Sequence, residues 1–298
     1  MLTQEQLDDR RNHLGASDMA AVLNQDKWRN AYDLWLEKTG RAEPPDISQK
    51  KPVVCGVNLE EGVLQWAANE LQDTIEHGVY RELAGNPLAA NLDGLTKAGR
   101  LPVEAKVSGV VGPLTDEWGR EDTDEVPEMY IVQVHAQMAC CVDESPERAY
   151  LAALLGGRGF RLYEIQRNQE LCDLIVEAAA RFWSDFVEAD TPPPDLVPSL
   201  DVVKHVRRSE GKVADIDPFL LEELDLAKDN LKRAKKDVER AQAAVLAAMG
   251  DAEAANAGDA GAVTYKEQHR DGYTVEPTSF RVLRRRKNPI PVAKDEEE

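Results

Sequence analysis

A short apolar stretch, VEAKV at residues 103–107, carries one acid and one base at alternate positions. In a β-strand alternate side chains point to the same face, so Glu104 and Lys106 share one face and the three apolar residues form the other. A charged side chain is costly to bury unless it is paired. The pattern therefore predicts a strand that buries its apolar face and presents a carboxylate and an ammonium group together.

A second short strand, LAANLDGL, precedes the first and is joined to it by TKAGR. A turn centred on Ala98–Gly99 sets a register in which Asp93 lies directly opposite Glu104. Side chains paired in this way have Cβ atoms about 5 Å apart, and like charges there destabilise a sheet. The two carboxylates therefore need a cation between them, which either Lys106 or a divalent metal ion could supply.

A third candidate acid lies upstream of these strands, on a predicted helix. The sequence from residue 59 to residue 71 predicts a helix with one apolar stripe, and Glu60 lies on this stripe. Glu61 is about 100° further round the helix, toward solvent. We therefore expect Glu60 on the buried side, where its carboxylate needs a partner.

Three carboxylates and one lysine match the composition of a Mg²⁺ site for phosphodiester hydrolysis. Mg²⁺ prefers oxygen ligands and binds through one or two carboxylates plus a phosphate. Such an ion polarises the phosphoryl oxygen and makes hydroxide available near neutral pH, and a neighbouring lysine can orient water or stabilise transition-state charge. The alternative is a structural Asp–Lys–Glu salt-bridge network on a half-exposed sheet, because ExK triplets are common.

The composition of the whole chain is that of a soluble globular protein. Of 298 residues 42% are hydrophobic and 31% are charged, which suits a chain with a real core. The absence of a run of about 18 apolar residues argues against a membrane span, and the polar N-terminus argues against a signal peptide. We therefore expect a cytoplasmic protein with no membrane partner.

Charge and cysteine content limit the function further. The formal net charge is −19, which repels nucleic acid at long range, so a DNA-binding hypothesis requires positive charge placed locally. The four cysteines contain no CxxC pair, and we interpret them as reduced, buried thiols of a reducing compartment.

The elements around the acidic pair predict an α/β domain over residues 1–195. MYIVQVHAQMACCV is apolar nearly all round and predicts a buried helix. AYLAALL and FRLYEI are predicted strands joined by a glycine-rich turn. A further helix from residue 169 to residue 188 ends before three prolines at 192–194, which indicate a domain boundary.

Residues 196–217 are a predicted linker, and residues 218–298 a separate appendage. Asp217-Pro218 is a typical helix start and Gly250 a typical stop. Apolar residues between them alternate spacings of four and three, a heptad pattern rich in alanine. The heptad helix could serve oligomerisation, partner docking or packing against its own chain, and we favour packing. A β-hairpin with its turn at Asp271–Gly272 is predicted to follow.

Several motifs together resemble a known family. LDGL and VEAK are similar to the D…ExK signature of the PD-(D/E)xK nuclease superfamily, and the flanking motifs resemble the YqaJ-type viral recombinases, relatives of phage lambda exonuclease. These motifs are RNHLGASDMAAVL near the N-terminus, GVNLE ending at Glu60, and EWGREDTDEVPEMYIVQVHAQM after the ExK strand. The resemblance covers residues 10–165 and implies a PD-(D/E)xK core with a mixed central sheet flanked by helices.

The resemblance also implies a role for each matching residue. Asp93, Glu104 and the Ala105 backbone carbonyl are expected to hold Mg²⁺, with Mn²⁺ as a plausible substitute, and Glu60 to assist at a second metal. Lys106 is expected to act on the attacking water, and no iron–sulfur cluster is expected. The remaining roles fall on residues of two other motifs, with Gln133 and Tyr130 supporting the active-site face and Arg11, Ser17 and Tyr130 contacting the DNA or its 5′-phosphate.

Alternatives to these roles stay open at this point. Gln133 and Gln137 could satisfy each other or backbone groups in a buried helix, and Arg11 could pair with Asp8 or Asp9. His135 departs from the family, whose members often carry a further glutamine at this position.

The implied activity is 5′→3′ digestion of linear double-stranded DNA, which leaves 3′ overhangs for a single-strand annealing protein. The implied setting is a phage or prophage protein in a bacterial host. A homo-oligomeric ring, such as a trimer, with a basic channel would reconcile DNA binding with the acidic charge. A structure-specific or nicking endonuclease on the same fold is one alternative, and a non-catalytic recombination scaffold is another.

Overall fold

The structure is a computed structural model that describes residues 10–120, 123–194, 196–210, 212–267 and 269. Its contacts divide the chain into two units, the first ending at Arg207 and the second beginning at Arg208. Each unit is described by itself below. The finer division at residues 195 and 217 stays a prediction.

Within the described residues the first unit is built on a six-stranded mixed sheet. The strands are β1 (Leu14–Gly15), β2 (Ile75–Glu82), β3 (Leu88–Thr96), β4 (Pro102–Ser108), β5 (Arg148–Leu155) and β6 (Gly159–Gln166). They follow the order β1-β3-β4-β5-β6, and β2 also pairs with β3. The β1–β3 and β4–β5 pairs are parallel and the others antiparallel. The predicted mixed central sheet is confirmed.

Helices flank this sheet, as predicted. They are α1 (Met19–Val22), α2 (Ala31–Lys38), α3 (Lys51–Leu71), α4 (Glu128–Cys140), α5 (Gln169–Phe182) and α6 (Leu200–Lys204), and a π-helical turn (Trp183–Glu188) continues α5. Helix α3 begins at Lys51, eight residues earlier than the predicted start at residue 59. Pro52 does not prevent this, because the first turn of a helix has no intrahelical partner for its N–H groups.

Strand β4 lies between two layers of helix. On one face Val103 and Ala105 pack with Val63 and Leu64 of α3. On the other, Val134 and Met138 of α4 pack with alternate residues of β5. Nearly all of α4 from Val132 onward is buried, which confirms the predicted buried helix. The polar face of β4 therefore meets α4 in the interior.

The second unit contains the long helix α7 (Pro218–Met249) and two short strands, β7 (Ala254–Asn256) and β8 (Ala262–Thr264). The Asp217 side chain accepts a hydrogen bond from the Phe219 N–H at 2.9 Å, which confirms the predicted N-cap. Strand β8 lies in the segment predicted to begin the C-terminal hairpin, and it pairs antiparallel with β7. The predicted turn at Asp271–Gly272 lies outside the described residues.

A buried ion cluster fixes the N-terminal segment of the first unit. Asp18 is only 2% exposed and contacts Arg29 Nη2 at 2.5 Å and Lys38 Nζ at 2.8 Å. Its Oδ2 also accepts the Gly15 N–H at 3.0 Å. Burial alone would raise the pKa of Asp18, but the charges of Arg29 and Lys38 lower it well below its usual range.

Replacement of Asp18 by Asn should destabilise the first unit, because Lys38 loses its carboxylate partner and Arg29 retains only its weaker contacts with Asp26 and Glu37. We expect a loss of about 3–5 kcal/mol in urea unfolding at neutral pH. The lowered pKa means that this stabilisation is present above the unfolded-state pKa of Asp and is lost as the pH falls below it. Asp190→Asn is the control, since Asp190 pairs with Arg41 in solvent. Equal losses for the two variants would contradict the assignment.

Candidate active site

The turn between β3 and β4 sets the register that was predicted. Gly94 pairs with Val103 and Leu95 with Pro102, so the next position places Asp93 opposite Glu104. Backbone pairing ends at this point. Asp93 Oδ2 instead accepts a hydrogen bond from the Ala105 N–H at 2.9 Å, and this bond fixes the carboxylate beside the start of the ExK segment.

Strand β3 is also irregular on its other side at Asp93. The pairing of β2 with β3 skips Gly78 and Asp93, and Gly78 has a φ of 64°. Most side chains avoid this left-handed region, whereas glycine adopts it readily. Neither the β2–β3 ladder nor the β3–β4 ladder includes Asp93, so this residue does not occupy a regular position in the sheet.

Glu104 is a buried carboxylate, 2% exposed, with donors on both of its oxygens. Oε1 accepts Gln133 Nε2 at 2.6 Å and also contacts Lys106 Nζ. Oε2 accepts Gln137 Nε2. Such charge-assisted bonds are stronger than neutral ones, and they offset the desolvation of the carboxylate.

The two glutamines of α4 therefore do not satisfy each other. They are four residues apart and so lie on one face of the helix, which points toward β4. Gln137 was not predicted as a site residue, although its spacing from Gln133 is the signal that places it there. Its Oε1 is buried and has no hydrogen-bond partner among the described residues, so the Gln137 side chain is held by its donor end.

Lys106 lies between Glu104 and an aromatic ring. Its Nζ is 5.1 Å from the centroid of Tyr130, a cation–π distance, and Tyr130 packs on Trp118 at 5.6 Å. Burial alone would lower the pKa of Lys106, but the charges of Glu104 and Asp93 raise it. The side chain is therefore held as an ammonium group.

The acids outnumber the base at this site. Burial and then the charge of Glu104 raise the pKa of Asp93 to about 7, although Lys106 and the Ala105 N–H oppose the shift. Oxygen donors with excess negative charge are the set that a hard divalent cation prefers. Among the residues that the structure describes, no cluster of three or more His, Cys, Asp or Glu has metal-binding geometry.

Glu60 is not buried, and this part of the prediction is wrong. The side chain is exposed, and continuous burial on α3 begins only at Val63. Residues 51–62 of this helix contain no buried residue. The charge of Glu60 nevertheless contributes to the raised pKa of Asp93, so it lies within electrostatic range. Glu61 is also exposed, 3.8 Å from His77 Nδ1.

Arg11 and Ser17 lie near the N-terminal ion cluster. Arg11 Nη2 contacts Glu43 Oε2 at 2.8 Å, and the same carboxylate binds Arg207. The alternative partners of Arg11, residues 8 and 9, lie outside the described residues. Ser17 is exposed on the 3₁₀ turn Ala16–Asp18. A role for either residue at a 5′-phosphate stays a prediction.

His135 of α4 points away from Glu104. Its Nδ1 lies 2.8 Å from the Ile131 carbonyl oxygen, and its Nε2 accepts the Asn168 N–H at 3.1 Å. This pattern defines a neutral imidazole with the proton on Nδ1. Burial lowers the pKa of His135. The histidine, which stands where relatives often carry a glutamine, connects α4 to the start of α5 through its bond with Asn168.

The cysteines are free thiols, in agreement with the interpretation from the sequence. Burial raises the pKa of Cys140 and of Cys141 to about 12. Thiols in this state are poor nucleophiles and poor metal ligands. Cys55 differs from the prediction because it is only half-buried.

An open cleft of about 260 Å³ adjoins the acidic site. Tyr130 and Trp118 line it, together with Ser108 at the end of β4 and Lys27 and Trp28 from the loop before α2. Tyr130 thus contacts both Lys106 and the cleft. No signal in the sequence connected Lys27 or Trp28 with this place, because both come from a distant loop.

The fold and the site define a mixed α/β domain that carries carboxylates and a lysine where two strands separate. Residues 5–143 match the YqaJ-like viral recombinase domain. The chain is also 33% identical over 199 residues to the uncharacterized protein YqaJ of Bacillus subtilis strain 168. Over these residues the chain is therefore similar to the YqaJ-like viral recombinase domain, which confirms the resemblance in its sequence.

The match to the Bacillus protein covers 65% of this chain and 59% of that protein, so the chain spans about three fifths of its relative. Two solved structures show a more distant likeness. An alkaline exonuclease (LHK-Exo) from Laribacter hongkongensis has 16% identity and a TM-score of 0.46, over 63% of this chain and 94% of its own. A phage-related exonuclease from Haemophilus somnus 129PT has the same identity and TM-score, over 60% and 96%.

The buried neutral histidine predicts a pH-dependent stability. Because the pKa of His135 is lowered in the folded state, its stabilisation is complete above about pH 6.5 and is lost as the pH falls below that value. The slope of unfolding free energy against pH, between pH 7 and pH 5, should therefore be smaller in His135→Gln than in the parent. His77→Gln is the control on an exposed histidine. A slope unchanged in His135→Gln would contradict a neutral imidazole.

Proposed function

We propose that the protein is a metal-dependent deoxyribonuclease that digests linear double-stranded DNA from the 5′ end and leaves 3′ single-stranded overhangs. The observation that carries this proposal is the meeting of Asp93, Glu104 and Lys106 within a YqaJ-like viral recombinase domain. Such overhangs are the substrate of strand annealing in phage-type homologous recombination. A single-strand annealing protein is the expected partner.

The donor set fits a hard divalent cation. Asp93, Glu104 and the Ala105 carbonyl would hold Mg²⁺, or Mn²⁺ in its place, and Glu60 would assist from α3. All of these donors are oxygens, the ligand type that a hard divalent cation prefers. Once bound, the ion supplies Lewis acidity and a source of hydroxide near neutral pH.

Lys106 is the residue that would act on the reacting groups. Its contacts with Glu104 and the Tyr130 ring hold it as a hydrogen-bond donor, so it would orient the attacking water and stabilise charge on the phosphoryl oxygens. Gln133 and Gln137 fix the Glu104 carboxylate, which keeps its oxygens in one orientation. Preorganisation of this kind is needed because small displacements at a reacting centre reduce rates strongly.

The proposed function requires a chain with a net charge of −19 to bind DNA, which is itself negatively charged. A homo-oligomeric ring with a basic channel, such as a trimer, would concentrate positive charge where the duplex passes and leave the outer surface acidic. Arg11 and Ser17 are proposed to contact the 5′-phosphate, and Arg11 would then exchange Glu43 for the phosphate. The proposed setting is the cytoplasm of a bacterial host. Among the described helices, none combines the length and apolar character that crossing a bilayer requires.

The function is tested by presenting 5′-phosphorylated linear duplex and covalently closed plasmid to the purified protein, with Mg²⁺ or with EDTA. The proposal expects loss of the linear duplex with Mg²⁺ alone and survival of the closed circles. Cleavage of the circles would instead identify an endonuclease. Survival of both substrates with Mg²⁺ would identify a scaffold and overturn the proposal.

Lys106→Ala should keep the fold and lower the rate of linear-duplex digestion by roughly 10²-fold or more, the scale for loss of one transition-state stabiliser. The measurement is the initial rate of nucleotide release at saturating DNA. Lys97→Ala is the matched control, since Lys97 is an exposed lysine on the turn between β3 and β4. A Lys106→Ala rate within about twofold of the parent would remove the lysine from the mechanism.

A further inference from the structure

The cleft beside the acidic site has an apolar wall and one ion pair. The apolar wall consists of side chains without hydrogen-bonding groups, namely Val107, Val110, Pro113 and Pro127. The ion pair joins Lys27 and Glu117, which line the cleft as well. Tyr130 also lines it, and the Lys106 Nζ lies 5.1 Å from the centroid of the Tyr130 ring. A ligand in the cleft therefore meets a residue that also contacts the active-site lysine.

Trp28 presents an exposed aromatic ring at this cleft. All five tryptophans lie within the described ranges, and Trp28, at 69%, is the one that is exposed. Trp35, Trp66 and Trp118 instead pack against another aromatic ring. A single exposed apolar residue needs no explanation by itself. An exposed indole at a cleft beside the proposed catalytic site, however, offers a surface on which a nucleobase can stack.

The loop that carries Trp28 is held on both sides. The Asp26 Oδ1 accepts the Trp28 N–H at 2.8 Å, and the next residue, Arg29, reaches the buried Asp18 at 2.5 Å. Arg29 also contacts the Asp26 carboxylate at 3.4 Å. The buried ion cluster therefore fixes the backbone on either side of Lys27 and Trp28. Binding to such a preformed surface costs less free energy, because little has to be ordered when the ligand arrives.

Lys27 forms an ion pair between two segments that are distant in the sequence. Its Nζ contacts the carboxylate of Glu117, which belongs to the loop after β4, and the two side chains are 47% and 41% exposed. The hydrogen bond from Lys27 lowers the pKa of Glu117. Exposed ion pairs contribute little to stability, so another anion can replace Glu117 at small cost. A DNA phosphate is such an anion, and lysine binds phosphate as a point charge.

The size of the cleft limits the ligand to a single unpaired nucleotide. Its volume of about 260 Å³ is below the usual range of ligand pockets, which is ~300–1,000 Å³, and leaves no room for a stretch of duplex. The apolar wall offers no side-chain donors or acceptors that could read the edge of a base. Stacking on an aromatic ring accepts every base. The cleft therefore suits DNA of any sequence whose strand is locally unpaired.

We propose that the cleft holds one unpaired nucleotide of the DNA strand beside the catalytic site, with its base against the Trp28 ring and its phosphate on Lys27. The phosphate takes the place of the Glu117 carboxylate, which holds the lysine in position before DNA binds. The identity of the ligand as DNA rests on the proposed function. The cleft as a nucleotide site is tested separately, in experiments that need no cleavage.

Stacking is tested by the binding of single-stranded oligonucleotides, about 12 thymidines or about 12 adenosines long, to the full chain in EDTA. The fluorescence anisotropy of a 3′ label measures the Kd. Trp28→Ala should weaken the binding of both oligonucleotides by roughly five- to a hundredfold, the range for loss of one base–aromatic stack. Trp28→Phe should bind within about threefold of the parent, because phenylalanine keeps a π-face. Parent-like binding by Trp28→Ala, or no binding by the parent, would overturn the proposal.

Tryptophan emission gives a second readout, which a merely structural role of Trp28 would not change. Stacking of a base on the exposed indole should quench the emission of the parent during titration with unlabelled oligonucleotide. The quench should be largely lost in Trp28→Phe, although this variant still binds. An equal quench in the parent and in Trp28→Phe would place the base against another ring and contradict the assignment.

The phosphate contact is tested by the salt dependence of the same binding. Each phosphate that a protein neutralises on a single strand contributes about 0.7 to the slope of log Kd against log salt concentration. Lys27→Met should lower the slope by about this amount. Lys97→Met, which removes an exposed lysine from the turn between β3 and β4, should leave it unchanged. A Lys27→Met slope equal to that of the parent would contradict the phosphate contact.

The exchange of Glu117 for a phosphate is tested by Glu117→Gln, which should tighten binding because Lys27 no longer has a competing partner. The same change in a Lys27→Met background should have no effect. Asp190→Asn is the matched control, since it removes an equal charge from the pair with Arg41. Unchanged or weaker binding by Glu117→Gln, or an equal gain in Asp190→Asn, would contradict the exchange.

Digestion of linear duplex separates this inference from the proposed function. A protein that digests the duplex, but whose Trp28→Ala and Lys27→Met variants bind oligonucleotides as the parent does, keeps the function and loses the nucleotide site. A protein that binds through Trp28 and Lys27, but leaves the duplex intact with Mg²⁺, keeps the nucleotide site and loses the function.

Discussion

The burial of the Glu104 carboxylate is the constraint on which the rest of the site depends. An ionised carboxylate in the interior is tolerated only when donors replace the water that it has lost. Gln133 and Gln137 reach it from α4, and Lys106 reaches it from its own strand. Helix α4 must therefore lie across the polar face of β4, and the packing of α3 on the opposite face holds that strand in place.

The site places two carboxylates, those of Asp93 and Glu104, beside one ammonium group, that of Lys106. Burial and the charge of Glu104 raise the pKa of Asp93 to about 7. The ladder between β3 and β4 ends where Asp93 accepts the Ala105 N–H. The strands thus separate beside the acids, next to a cleft that Tyr130 also lines. The acidic site and the cleft therefore lie side by side at the end of β4.

Alternation along strands and a short turn were sufficient to predict the register that brings Asp93 to Glu104, because both are local properties of the sequence. The burial of α4 was likewise predictable from its composition. Helical periodicity placed Glu60 on the correct stripe, but it does not show where along a helix the sheet ends. The contact between Arg11 and Glu43 joins residues 32 positions apart, and no local pattern indicates such a pairing.

Calorimetric titration of Mn²⁺ into the DNA-free protein most directly tests the proposed divalent-cation site at Asp93 and Glu104. Asp93→Asn and Glu104→Gln should each weaken binding by about tenfold or more, since loss of even an outer-shell group has effects of that size. Glu61→Gln, on the exposed side of α3, should bind as the parent does. Parent-like affinity in both Asp93→Asn and Glu104→Gln would contradict a metal centre at this place.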